Sequence, residues 1–339
     1  MQITPSVSVV ILNWNGKHHL QNFLPSVVAS VYGNLEIVVA DNASTDDSLR
    51  FIKEHYPDIR LISNGENLGF AGGYNKALSA ITSDYIILLN SDVEVTPNWI
   101  EPVISLIESD SKIAAAQPKI NSWHNKAEFE YAGAAGGFLD RFGYPFCRGR
   151  IFDTLEKDLE QYEVADEIFW GSGAALFIRR SCWEEIGGFD ADFFAHMEEI
   201  DLCWRLKKVG YKIMYCPDSE VFHVGGGTLQ ADKPYKTYLN FRNNLAMLLK
   251  NLEGKQVLSV LFIRFCLDFI SLLKFAVEGK FEHARAINKA HVSFFKNLSR
   301  NKKKRSPISG KFNKQGLYNG SIVWEYFVKK RKIFTDLRW

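Results

Sequence analysis

Four short runs, VSVVIL (7–12), EIVVA (36–40), IRLI (59–62) and YIILL (85–89), are almost continuously apolar and rich in β-branched or leucine side chains. Successive side chains of a strand point to opposite faces, so unbroken apolarity is what a strand covered on both sides requires. Helix-length stretches lie between and after these runs, at about 17–30, 45–55, 71–81 and 99–108. Strand and helix in alternation predict an α/β architecture: an open, mostly parallel central sheet with right-handed crossovers, flanked by helices. Each predicted strand exits into polar residues: Asn13; Asp41 and Asn42; Asn64 and Asn67; Asn90, Ser91 and Asp92. A single turn of this kind is ordinary capping chemistry. Four at the carboxyl edge of one sheet mark the crevice where open α/β sheets bind polar ligands.

The first of these turns reads NWNGKHHL, with one glycine where a dinucleotide fold has G-x-G-x-x-G, and no Walker-type phosphate loop follows. Phosphates at this edge need another source of positive charge. A carboxylate such as Asp92 supplies it indirectly, by holding a divalent cation, Mg²⁺ or Mn²⁺, that bridges a diphosphate.

Six ordered blocks, VSVVILNWNG, IVVADNASTDDS, NLGFAGGYNKAL, YIILLNSDVEV, FWGSGAALFIRR and FFAHMEEIDLCWRLKKVGYK, together resemble family 2 glycosyltransferases of the GT-A fold, in the rhamnosyltransferase-like branch. The resemblance spans about residues 5–250. It implies a Rossmann-like domain at 1–235 and leaves 236–339 as a helical, basic C-terminal extension. It also implies transfer of a sugar, in this branch commonly rhamnose, from a nucleoside diphosphate donor with inversion at the anomeric carbon. The acceptor class that the resemblance implies is a glycan or polyprenyl-linked glycan of cell-surface polysaccharide. A catalytically inactive nucleotide-binding scaffold is the alternative, because two motif positions depart from the family: the metal motif reads Asn90-Ser91-Asp92, and the Glu-Asp of the base motif reads Glu198-Glu199.

Position by position, the resemblance assigns the donor pocket to Asn13, Asp41, Asn42, Asn67, Gly69, Gly72, Asn75, Asn90, Ser91 and Arg242. Asp92 and His223 fall to the cation, Trp170 and Gly171 to the acceptor side, and Glu199 to the catalytic base with Glu198 in reserve. Inverting transfer needs a carboxylate to take the acceptor hydroxyl's proton, and neighbouring acids raise one another's pKa towards neutrality. Asp201 and Arg205, four apart, read as an ion pair on the helix surface. The glycine- and aromatic-rich stretch 130–150 reads as a mobile acceptor loop.

Charge divides the chain. Residues 1–227 carry 18 Lys and Arg against 32 Asp and Glu, and residues 228–339 carry 23 against 7. Within the basic part, 257–277 has 16 apolar residues of 21, but Arg264 and Asp268 near its middle oppose a membrane span. On a helical wheel Arg264, Asp268, Ser271 and Lys274 share one stripe opposite a broad apolar face, which leaves three uses open: a membrane interface, the enzyme's own core, or a homodimer. Lys302, Lys303, Lys304 and Arg305 resemble a polybasic anchor for an anionic membrane surface. No nucleic-acid recognition pattern accompanies them. The five scattered cysteines and the absence of a leader pattern fit a cytoplasmic protein at the inner face of the cell membrane.

Overall fold

The computed structural model describes residues 4–225, 233–305 and 311–339. Its first half alternates as the pattern predicts: β1 Val7–Asn13, α1 Lys17–Val28, β2 Leu35–Asp41, α2 Ser48–His55, β3 Arg60–Ser63, α3 Gly69–Leu78, β4 Tyr85–Asn90, β5 Val93–Val95 and α4 Ile100–Glu108. Strands β3, β2, β1 and β4 lie side by side and parallel. The two faces of this sheet are two separate cores. Val7, Val9 and Ile11 of β1, with Tyr85, Ile87 and Leu89 of β4, pack on α1 and α4. Val10, Ile86 and Leu88, one residue out of step, pack with α3 on the other face. This is the physical content of the unbroken apolar runs.

The sheet continues through β6 Ile113–Ser122, β11 Asp166–Ile168, β12 Ala175–Arg179 and β13 Lys212–His223. Strand β12 joins β4 antiparallel, so the nine-stranded sheet is mixed beyond its parallel half. Between β6 and β11 come β7 Gly137–Asp140, β8 Pro145–Cys147, β9 Arg150–Ile151 and β10 Thr154–Leu155. Together with β14, Leu317–Tyr318, they make a second, five-stranded sheet. The stretch 130–150, read as a mobile loop, thus contains the paired strands β7 and β8 and the start of β9, joined by turns. Its glycines permit close packing: a Cβ on Gly137 would lie 2.2 Å from the Trp170 ring.

After α5 Arg180–Glu185 and α6 Glu198–Lys208, the helices α7 Pro234–Asn251, α8 Gly254–Val277, α9 Phe281–Lys296 and α10 Leu298–Lys303 follow. Helix α8 does not pad the core with the larger part of its apolar face. Of its polar stripe, Arg264 and Asp268 turn inward beside buried Val257 and Leu261, while Lys274 stays exposed: Arg264 pairs with Asp268 at 3.2 Å and sits over the Tyr144 ring at 3.8 Å, and Asp268 meets His291 of α9 at 3.1 Å. The chain then returns to the second sheet, where the backbone N–H of Ile322 donates to buried Asp140 at 2.9 Å. Among the described residues no helix is long and apolar enough to cross a membrane.

Candidate active site

Parallel register sets Asn13 beside Asp41 and Leu12 beside Asn90 at the carboxyl edge. The Asn13 amide donates to Asp41 at 3.3 Å and to Ser44 Oγ at 3.0 Å, and the second Asp41 oxygen accepts from the Ser44 N–H at 3.0 Å. Asn13 Oδ1 is buried without a partner, and only a glycine fits at 16, since a Cβ there would come within 2.6 Å of that oxygen. An orphaned acceptor next to a buried carboxylate suits the hydrogen-bonding edge of a base.

Asn42 extends this edge towards α3. Its amide donates to Gly69 O at 2.9 Å and approaches Asn67 Oδ1 at 3.4 Å, and its own oxygen accepts from Asn64 at 2.8 Å. Gly69 has φ +69°, and a Cβ there would lie 2.5 Å from the Phe194 ring. Gly73 is more tightly enclosed than the predicted Gly72: a Cβ on Gly73 would meet Asn42 at 2.8 Å and Leu12 at 2.9 Å, and one on Gly72 would meet Leu68 at 3.0 Å. Asn75, expected in the donor pocket, is engaged elsewhere. Its amide donates to Phe189 O at 2.8 Å and its oxygen accepts from Phe189 N at 2.9 Å, tying α3 to the segment that leads to α6.

The cation side gathers around His223, at the end of β13. Its Nε2 is 3.3 Å from Asp92 and 3.5 Å from the Asn90 amide, and its Nδ1 is 3.4 Å from Glu130. All but Asn90 are buried. Burial alone favours a neutral ring, but Glu130 and Asp92 on either side outweigh it and push the imidazole up to about 10. Burial likewise works against charge on Asp92 and Glu130, and the adjacent His223 nonetheless holds both carboxyls below their usual range. His19, from α1, also feels the Asp92 charge, although its own burial dominates and lowers it. Neither Glu130 nor His19 carries a signal in the sequence; each is brought here by contacts distant along the chain. Among the described residues no three His, Cys, Asp or Glu side chains converge on one metal position.

The acids of α6 follow a strained strap. Phe194, His196 and Met197 all have positive φ, at 65°, 70° and 72°, a conformation costing non-glycine residues about 1–3 kcal/mol each. Two residues of α7 hold the strap in place. The Asn243 amide lies 2.9, 2.9 and 2.7 Å from the carbonyls of Phe193, Ala195 and His196. Arg242, expected at a phosphate, gives its Nη2 to the carbonyls of Asp192 at 3.0 Å and Phe193 at 2.9 Å. The strap also touches the donor edge, since Phe70 N donates to Phe194 O at 2.6 Å.

At the end of the strap, Glu198 is buried and Glu199 half-buried, and each has an oxygen without a hydrogen-bond partner. Burial, reinforced by Glu199, pushes Glu198 well above the usual carboxylate range. Burial pushes Glu199 up to about 7, against the backbone N–H groups at the helix start. Asp201 behaves differently. It is fully buried rather than on the helix surface, pairs with Arg205 at 2.8 Å and Lys250 at 2.9 Å, and accepts from the Asn251 amide at 2.8 Å.

On the expected acceptor side, Trp170 offers no exposed ring. It is 4% exposed, and its indole N–H donates to Phe138 O at 2.8 Å. Gly171 is equally enclosed, since a Cβ there would meet Leu176 at 2.5 Å. Trp170 packs between the two sheets, and Gly171 against Leu176 and Gln117 of the nine-stranded one.

A parallel half-sheet with a polar carboxyl edge, a second, mostly antiparallel sheet and flanking helices make up the GT-A fold. Residues 8–183 match glycosyl transferase family 2, and the chain belongs to that family. Over 237 residues it is 29% identical to the N-acetylglucosaminyl-diphospho-decaprenol L-rhamnosyltransferase of Mycobacterium tuberculosis, covering 65% of this chain and 76% of the relative. Among solved structures it is similar to the mannosyltransferase PcManGT of Pyrobaculum calidifontis in complex with GDP-Man and Mn²⁺, with TM-score 0.57 and 15% identity over 87% of this chain and 88% of that one. GalNAc-T7 with UDP, GalNAc and Mn²⁺ gives TM-score 0.56 at 19% identity over 74% of this chain, which spans 48% of that longer one. The protein is a glycosyltransferase.

Proposed function

We propose that the enzyme transfers a sugar, with rhamnose the first candidate, from a nucleoside diphosphate donor to a glycan or lipid-linked glycan of the cell surface, with inversion. The observation that carries this reading is the Glu198–Glu199 pair, held with unpartnered oxygens at the end of a strained strap that abuts the donor edge. Such strain persists only where the surroundings over-determine it, and it clusters at reacting centres. Asn13 and Asp41 meet the base. Glu199, ionised, takes the proton of the acceptor hydroxyl as that oxygen bonds to the anomeric carbon; the bond from that carbon to the diphosphate oxygen breaks with its electron pair, and the nucleoside diphosphate leaves.

A divalent cation fits the donor set present. Asp92 supplies a carboxylate and His223 an imidazole, with the Asn90 amide alongside. Asp92 and His223 would hold such a cation, and the imidazole favours Mn²⁺ over Mg²⁺. When bound, such a cation neutralises charge developing on the leaving diphosphate. Because Glu130 and Asp92 raise the proton affinity of the His223 ring, a cation there would compete with a proton.

The test is a panel of sugar nucleotides screened for thermal stabilisation with and without Mn²⁺, followed by product analysis. The reading expects a selective, Mn²⁺-dependent shift and a product anomer opposite to the donor's. Selective donor binding without diphosphate release in the presence of acceptor supports the inactive-scaffold alternative instead.

A further inference from the structure

Helix α8 buries Val257 and Leu261 but keeps the larger part of its apolar surface off the protein core. Its ionic pair, Arg264–Asp268, is buried, while Leu258, Phe262 and Val277 on the opposite side are 83%, 70% and 88% exposed. Phe269, Ile270 and Leu273 fill the same outward face. At 100° per residue all six lie within about a third of a turn, diametrically across from Arg264 and Asp268.

The inward contacts prevent the helix from rolling over. Arg264 is held by Tyr144 and the Phe142 carbonyl of the second-sheet region, and Asp268 by His291 of α9. The face continues onto α9, where exposed Phe295 stacks on Phe265 of α8 at 5.3 Å and exposed Val292 lies three residues before it. A contiguous exposed apolar surface of this kind marks an interaction site.

Charge around the face identifies the occupant. Between residues 253 and 303, nine exposed Lys and Arg stand against three exposed acids. Lys289 and Lys296 flank Val292 at helical spacing, and Lys255 and Lys274 lie near the two ends of the α8 face. Apolar side chains rimmed by long cations match the boundary between acyl chains and anionic headgroups, where the cations reach phosphate while their stems stay with the apolar layer. A second copy of this chain would bring like charge against like charge.

We propose that the outward face of α8, with Val292 and Phe295 of α9, is a docking surface that seats the enzyme on an anionic lipid bilayer. The enzyme lies on the membrane and does not span it. The inference rests on the reading above that the acceptor is lipid-linked: docking confines the search for such an acceptor to the plane in which it lies.

The test uses the full chain with vesicles of phosphatidylcholine doped with phosphatidylglycerol, and with vesicles of phosphatidylcholine alone. Co-sedimentation is followed as a function of salt, and sugar transfer to a short soluble acceptor is measured on the same samples. The native chain is expected to bind the doped vesicles, to release them at high salt, and to leave the neutral ones largely unbound. The double variant Phe262→Asp/Phe269→Asp abolishes binding while keeping the native melting temperature and soluble-acceptor transfer. Lys289→Ala/Lys296→Ala, which leaves the apolar face intact, weakens binding about 30-fold. The proposal is overturned if the native chain ignores both kinds of vesicle, if the Phe262→Asp/Phe269→Asp variant binds like the native chain, or if light scattering shows a native dimer that this variant splits. Loss of soluble-acceptor transfer in the native chain contradicts the proposed function, whatever the vesicles do.

Discussion

At the scale of single residues, the site is governed by where burial places charge. Glu199, pushed up to about 7, is protonated below neutrality and becomes a base above it. The rate kcat/KM is therefore expected to rise with pH along a limb centred near 7, measured as nucleoside diphosphate release, and Glu199→Gln removes the limb. The same shift reverses sign in stability. Between its ordinary carboxylate range and about 7 the unfolded chain ionises this group and the folded chain does not, so Glu199 lowers stability as pH rises through that window. Glu130 acts on the other side of the site by facing His223 Nδ1, which leaves Nε2 towards Asp92. Replacing it by Gln is expected to weaken Mn²⁺ binding in the presence of nucleoside diphosphate by about 10–100-fold, read by calorimetry. Asp92 and the two glutamates could be picked out in the sequence because each sits in a motif block, and His223 because a run of three glycines follows close behind it. Glu130 could not, since it lies in a glycine-rich stretch and meets His223 only through pairing across the fold.

At the scale of elements, the strap before α6 is where the donor edge and the acids are coupled. Its three left-handed residues are held by Asn243, whose amide faces three strap carbonyls at once. Asn243→Ala is expected to lower kcat by up to about 100-fold through misplacement of Glu199, while donor affinity changes much less. Equal losses in both would show that the strap shapes the donor pocket instead. Strands β1, β2 and β4 and their helices were legible because local apolar period and sheet burial agree there, whereas β3, at the sheet's edge, is only half-buried and was legible from its apolar run alone. The second sheet was not. Its strands are two to four residues long and exist through long-range pairing, including with β14 from the far end of the chain, so their glycines read locally as a loop. The inward Arg242 and Trp170 escaped for a related reason: the groups that cover them come from other segments.

At the scale of the whole molecule, the acidic first part and basic last part are joined through buried ion pairs. Lys250 of α7 lies 2.7 Å from Asp190 and 2.9 Å from Asp201, and Lys304, just beyond α10, reaches Asp190 and Asp192 at 2.5 Å. Burial works against Asp190, yet these lysines hold its carboxyl at about 2, so its contribution is present above the ordinary carboxylate pKa and is lost as pH falls towards 2. Lys250→Ala leaves Asp201 with half of its compensation and is expected to cost about 3–5 kcal/mol in urea unfolding. The charge division was plain in the sequence, but the inward turn of the α8 ion pair depends on Tyr144 and His291 and was not. All three scales meet at one claim, that Glu199 rather than Glu198 removes the acceptor proton beside a donor site formed independently of it. Single-turnover sugar transfer in Glu199→Gln and Glu198→Gln, with donor affinity measured on the same proteins, tests it most directly. The account predicts a fall of about 10²–10⁴-fold for Glu199→Gln with donor affinity nearly unchanged, and a smaller fall for Glu198→Gln. Near-native transfer by Glu199→Gln would contradict it.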